Sequence, residues 1–115
     1  MAFNFESLNA DFAVAPQLEP AQMAEAAAAG FRSVINNRPD LEGGAAQPLS
    51  AAIADAAEAA GLAYAHLPVI PSDIKPEDVA AMAALIARLP KPVLAFCRSG
   101  ARAAKLYQLA ETHGR

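Results

Sequence analysis

The chain has 115 residues, 55% of them hydrophobic, which suits one compact domain (1–115) with a single core and leaves no room for a separate regulatory module. A net charge of −3 and a pI near 5.2 argue against a protein that coats polyanions, so nucleic acid is not an expected partner. The acidic segment Met1 to Phe12 has no basic stretch followed by an apolar core, and no run approaches the length of a membrane span, so no membrane association and a cytoplasmic location are expected.

In chain order, the first predicted strand is Phe12 to Ala15. Glu19-Pro20 and the alanine-rich stretch to Ala29 then predict a helix, with Gly30 placed to end it. Phe31 to Asn36 predicts a second strand, and Pro39 to Gly44 supplies Pro, Asp and Gly-Gly for a loop. Pro48 suits the first turn of a helix running through Leu49, Ile53 and Ala57 to a stop at Gly61. Ala63 to Pro68 predicts a third strand, and Pro71 to Pro76 an extended loop.

The next helix carries the strongest signals. Pro76 stands in its first turn, Glu77 and Asp78 sit near its positive end, and Val79, Met82, Ile86 and Leu89 share one face before Pro90 and Pro92. Val93 to Phe96 is a short apolar run suited to a central strand buried on both faces. A last helix begins near Ala101, with Ala103, Leu106, Ala110 and His113 near one face. About 30 residues are alanine, which favours closely packed helices and leaves the bulky apolar residues to mark the strands. Strands alternating with helices predict an α/β fold: a largely parallel sheet with helices on both faces.

In such sheets ligands gather beyond the carboxyl ends of the strands. Cys97 stands at one of those ends, and Arg98-Ser99-Gly100-Ala101-Arg102 leads from it into the last helix. Backbone N–H groups at a helix start can hold an anion and favour a thiolate over a thiol. Gly100 permits a tight backbone approach, and Arg102 offers a two-pronged donor to a tetrahedral oxyanion. A lone cysteine is more often a small buried hydrophobe. Here nucleophile, anion cradle and cation fall within one turn, which favours catalysis, with Arg98 either steering substrate or standing as a solvated charge. One cysteine forms no internal disulfide, and two distant histidines argue against a zinc site, so neither metal nor organic cofactor is expected.

The sequence resembles the small bacterial phosphatase-like domain found alone or fused to metallo-β-lactamase-fold hydrolases, the former domain of unknown function 442. The resemblance covers most of the chain. It rests on Val34-Ile35-Asn36-Asn37-Arg38-Pro39-Asp40, on Leu67-Pro68-Val69 with Ile74-Lys75-Pro76-Glu77-Asp78-Val79, and on Pro92-Val93-Leu94-Ala95-Phe96-Cys97-Arg98-Ser99-Gly100-Ala101-Arg102. It implies a relative of the dual-specificity phosphatase fold. Two departures from the ordinary phosphatase pattern stand out. Cys97 and Arg102 enclose four residues rather than the phosphatase five, a spacing familiar from single-domain rhodaneses, and Ala103 replaces the Ser or Thr that helps expel the cysteine thiolate.

Asp73 lies where phosphatases of this kind carry their general acid, though it suits somewhat better a turn or cap before the Pro76 helix. Arg38 either adds a second positive charge to the anion site or pairs with Asp40. Asp78 reads as a dipole complement, His66 as a core or rim residue, and His113 as a complement to a helix carboxyl end.

Two enzyme readings follow. In a phosphatase-like hydrolase, Cys97 attacks phosphorus, Arg102 and the loop from Arg98 to Ala101 hold the equatorial oxygens, and Asp73 protonates the leaving group. In a sulfurtransferase, Cys97 carries a persulfide from a sulfur donor to a thiol acceptor such as glutathione. A non-catalytic binder of anions or phosphopeptides would keep Arg102 without depending on Cys97. The substrate and the oligomeric state are left open by the sequence.

Overall fold

The computed structural model describes residues 3–113. Its elements are β1 (Glu6–Asn9), β2 (Phe12–Ala15), α1 (Gln22–Ala28), β3 (Ser33–Asn36), α2 (Ser50–Ala59), β4 (Ala63–His66), α3 (Pro76–Arg88), β5 (Val93–Phe96) and α4 (Ala101–Glu111). The sheet order is β1-β2-β5-β3-β4, with β1 antiparallel to β2 and every other pairing parallel. This is the expected α/β architecture with one addition, the edge strand β1.

Alternation along the central strands explains why both faces are covered. Phe12, Val14, Ile35, Val93 and Ala95 point to one side and pack with Met82 of α3 and Leu106 of α4. Ala13, Ala15, Val34, Leu94 and Phe96 point to the other and pack with Met23 of α1 and Ile53 of α2. Small side chains at Ala26 and Ala57, both fully buried, let the helices approach the sheet closely. Burying a Phe96- or Leu94-sized side chain stabilises the fold by about 1.5–3 kcal/mol each, so β5 is pinned in the middle of the sheet by its composition.

Several boundaries differ from expectation. The second and third strands are shorter, at Ser33–Asn36 and Ala63–His66. The α2 helix starts at Ser50 rather than in a turn around Pro48, because Leu49 is extended (φ −72°, ψ 147°) and the Asp40 carboxylate accepts the Ser50 N–H at 2.8 Å. The α4 helix ends at Glu111, so His113 lies past the helix and is exposed rather than sharing its buried face. Asp78 does more than complement the α3 dipole: its Oδ2 accepts the Lys75 N–H at 2.9 Å and caps the helix.

The parallel register brings the ends of β2, β5 and β3 level, with Phe96 opposite both Ala15 and Asn36. Loops following four parallel strands therefore gather at one sheet edge, with Cys97 at the centre.

Candidate active site

Cys97 is the first residue beyond β5 and is almost completely buried, on the α3/α4 face of the core. Its N–H reaches the Ala15 carbonyl at 3.4 Å, while the Asn37 N–H donates to the Phe96 carbonyl at 2.9 Å, so neighbouring strands clamp the chain on either side of the sulfur. The turn then closes on the thiol itself: the Gly100 N–H donates to Cys97 Sγ at 3.1 Å. That bond requires Gly100 in the left-handed region, at φ 94°, where a side chain would cost about 1–2 kcal/mol. Gly100 also backs onto Ala15, whose carbonyl group lies 3.4 Å from where a Cβ would sit. The Ser99 Oγ accepts the Ala101 N–H at 3.3 Å, turning the chain into α4.

Arg102, in the first turn of α4, points inward and is buried. Its Nη1 donates to the Val69 carbonyl at 3.0 Å and the Asn37 carbonyl at 3.3 Å, tying the arginine to the segments that follow β4 and β3. The same guanidinium grips Glu42 through two bonds, Nη1 to Oε2 at 3.1 Å and Nη2 to Oε1 at 2.9 Å. Its Nε is buried with no protein partner. Glu42 Oε1 also accepts from Arg38 Nε at 2.9 Å, so one carboxylate joins two arginines. Partial burial pushes the Glu42 carboxyl up, but the hydrogen bonds and charges of Arg102 and Arg38 outweigh it and hold the group below the usual glutamate range. Glu42 is therefore an anion at neutral pH.

The loop between β3 and α2 is built to put Glu42 there. Asn36 Oδ1 accepts the Arg38 N–H at 2.9 Å, and the Arg38 Nη1 donates to Gln17 Oε1 at 3.0 Å. Leu41, immediately before Glu42, has φ 68°, a conformation costly to a branched side chain. Gly43 follows because a Cβ there would lie 2.6 Å from Arg38 Nη2. The Gln47 amide closes the loop by accepting the Gly43 N–H at 2.7 Å and donating to the Pro39 carbonyl at 2.9 Å. Arg38 thus pairs with Glu42 and not with Asp40, whose carboxylate is engaged at Ser50. The exposed His66 supports the same loop from β4 through a 2.9 Å bond between its Nε2 and the Arg38 carbonyl.

Two cavities open on this edge and share Pro71, Arg98 and Arg102 in their walls. The first, about 270 Å³, holds Cys97, Ser99 and Ala101, with Ile74 and Lys105 closing it. The second, about 570 Å³, is lined in addition by Arg38, Glu42 and Gly43. The structure therefore brings Cys97, Arg98, Ser99, Ala101 and Arg102 to one cavity and Arg38 to the adjoining one. Gly100 acts from behind, through its bond to the sulfur. Asp73 is not in either wall: its side chain is 61% exposed and lies 3.8 Å from Lys75 Nζ, although Pro71 and Ile74 of the same loop line the Cys97 cavity.

Sequence reasoning missed Glu42, Gln17 and Lys105. For Glu42 a faint signal existed in Leu41-Glu42-Gly43-Gly44, a carboxylate set beside glycines in a loop that follows a strand. Among the described residues no cluster of three or more His, Cys, Asp or Glu side chains could hold a metal ion. No helix among them is long and apolar enough to cross a membrane.

A mostly parallel sheet that carries a cysteine at the end of its central strand, followed by a short turn and an inward arginine on the next helix, has the architecture of the cysteine-phosphatase-like α/β proteins. Over residues 4–113 the sequence matches the phosphatase-like domain of the beta-lactamase hydrolase-like protein, and the chain belongs to that family. It is 40% identical over 104 residues to a beta-lactamase hydrolase-like protein of Xylella fastidiosa, and 38% identical over 104 residues to one of Agrobacterium fabrum. Each alignment takes in 90% of this chain and 24% of the relative, so the chain spans about a quarter of the length of the curated relatives it matches.

Among solved structures, a candidate phosphatase from Neisseria meningitidis superposes with a TM-score of 0.82 at 37% identity, covering 89% of this chain and 72% of that one. A DUF442 candidate phosphatase from Shewanella putrefaciens gives 0.79 at 24% identity, over 96% of this chain and 68% of that one. The G95A form of Tk-PTP gives 0.71 at 23% identity, over 97% and 74%. The last two likenesses concern the fold alone.

Proposed function

We propose that the domain is a thiolate-dependent phosphatase-like hydrolase with Cys97 as nucleophile. The observation that carries this reading is the pairing of Cys97 Sγ with the Gly100 N–H at 3.1 Å in a cavity that Arg102 also lines. The Cys97 thiolate attacks the phosphorus of a phosphomonoester and the bond to the leaving oxygen breaks. Loop N–H groups and the free Arg102 Nε receive the equatorial oxygens. Asp73, carried by the loop that walls the cavity, gives its proton to the leaving oxygen. Water then attacks the cysteinyl-phosphate and yields a proton to Asp73, releasing orthophosphate and restoring the thiolate. Glu42 is not the acid in this scheme, because its two arginines keep it ionised.

The second reading, sulfur transfer through a Cys97 persulfide, is favoured by the exposure of Asp73 and by Ala103, a fully buried methyl with no hydroxyl to assist thiolate departure. Asp73→Asn separates the two. Under the phosphatase reading it slows aryl phosphate cleavage by ~10² to 10⁴, most for poor leaving groups, which depend most on protonation. Unchanged rates across leaving groups would remove Asp73 as the acid and favour sulfur transfer, where a thiosulfate-type donor departs without a proton.

A further inference from the structure

The chain is acidic overall, yet its charges are sorted at this edge. Arg38, Arg98, Arg102 and Lys105, four of nine basic residues, line the two joined cavities, and Glu42 is the one of twelve acidic residues that lines them. The reacting group needs only the Cys97 loop and Arg102. The second cavity presents three guanidinium groups against one carboxylate, and that carboxylate is already committed to Arg38 Nε and Arg102. Arg98, exposed and with no side-chain partner among the described residues, stands in the wall between the two cavities. Arg38 is buried, and its Nη2 stands against Gly43 with no acceptor among the described residues. Such an excess of cations over carboxylates in a concave site attracts a negatively charged ligand group.

We propose that the second cavity is a subsite for another anionic group on the substrate, held by Arg98 and Arg38, so that the preferred phosphomonoester is one whose organic part carries a carboxylate or a second phosphate. The proposal rests on the phosphatase reading for the first group only. Binding is measured on the Cys97→Ser protein, in which no turnover confuses affinity, by titration calorimetry with phenyl phosphate and the three carboxyphenyl phosphates. At least one carboxylated isomer should bind about tenfold or more tightly than phenyl phosphate, the usual scale of a charge-assisted contact. In Cys97→Ser/Arg98→Gln that ratio should fall toward one.

Equal or weaker binding of all three isomers, or no measurable binding of any, overturns the subsite. A ratio that survives Arg98→Gln overturns its placement. Hydrolysis of the same esters by the unaltered protein reads the phosphatase chemistry separately, so a preserved binding preference without hydrolysis would strike the reaction and leave the subsite standing.

Discussion

The two loops that make the site reach their shapes by opposite means. Residues 97–102 are shaped by the main chain: strand ends clamp Cys97, a left-handed glycine turns the path, and a backbone N–H meets the sulfur. Residues 37–47 are shaped by side chains, through Asn36, Arg38, Asp40 and Gln47, around a strained Leu41. The first loop is formed by the fold itself, so changes there should strike the chemistry. The second is an assembly of polar contacts placing one carboxylate, so changes there should strike the alignment of Arg102 and the stability of the loop.

The largest effect is expected within the first loop. Cys97→Ser should lower aryl phosphate turnover by ~10⁴ or more, since an unactivated hydroxyl replaces the nucleophile. Arg102→Lys should follow at about 10² to 10³, because a point donor cannot hold Val69, Asn37 and Glu42 together while presenting a further N–H to the substrate. Circular dichroism should show both proteins folded. Unfolding of Arg102→Lys would break the distinction, by making the arginine as much a strut as a reactive group.

In the second loop, Glu42→Gln should cost roughly 10- to 100-fold in kcat, the scale of a small misplacement of a catalytic group. A stability signature accompanies it. The Glu42 carboxyl is held below its usual value of 4.5, so its ion pairs stabilise the fold at neutral pH and lose that contribution as pH falls through the depressed value. The stability gap between the unaltered protein and Glu42→Gln, measured by urea unfolding, should therefore narrow in acid. A gap that widens would contradict the pairing. The smallest effect belongs to Asp40→Ala, which removes the carboxylate that receives the Ser50 N–H. It should destabilise by about 0.5–2 kcal/mol with little change in kcat, as read by thermal unfolding and steady-state rates.

The same contrast governs how much the sequence disclosed. The Cys97 turn was legible because strand, cysteine, glycine, arginine and helix are consecutive. The alternation of strands and helices likewise exposed the parallel sheet and the central position of Val93–Phe96. Glu42 was not legible because its partner Arg102 lies 60 residues away and only the closed sheet brings them together. β1 escaped notice because all four of its residues are exposed, so it carries no buried alternation. The Asn9–Asp11 turn, in which Asn9 Oδ1 accepts the Asp11 N–H at 2.8 Å, was its one local trace. Asp73 was legible only as a position in the chain: its loop does wall the Cys97 cavity through Pro71 and Ile74, while its own exposed side chain lies 3.8 Å from Lys75 Nζ.

The central claim, a phosphoryl group carried by Cys97, is tested most directly by intact mass spectrometry of the protein quenched in acid during turnover of an aryl phosphate. A single phosphoryl adduct that maps to Cys97 and is absent from Cys97→Ser is expected. Turnover without any adduct in the Asp73→Asn protein, where hydrolysis of the intermediate should be slowed and its level raised, would contradict it. So would a sulfur adduct on Cys97 formed from thiosulfate by a protein that leaves aryl phosphates untouched.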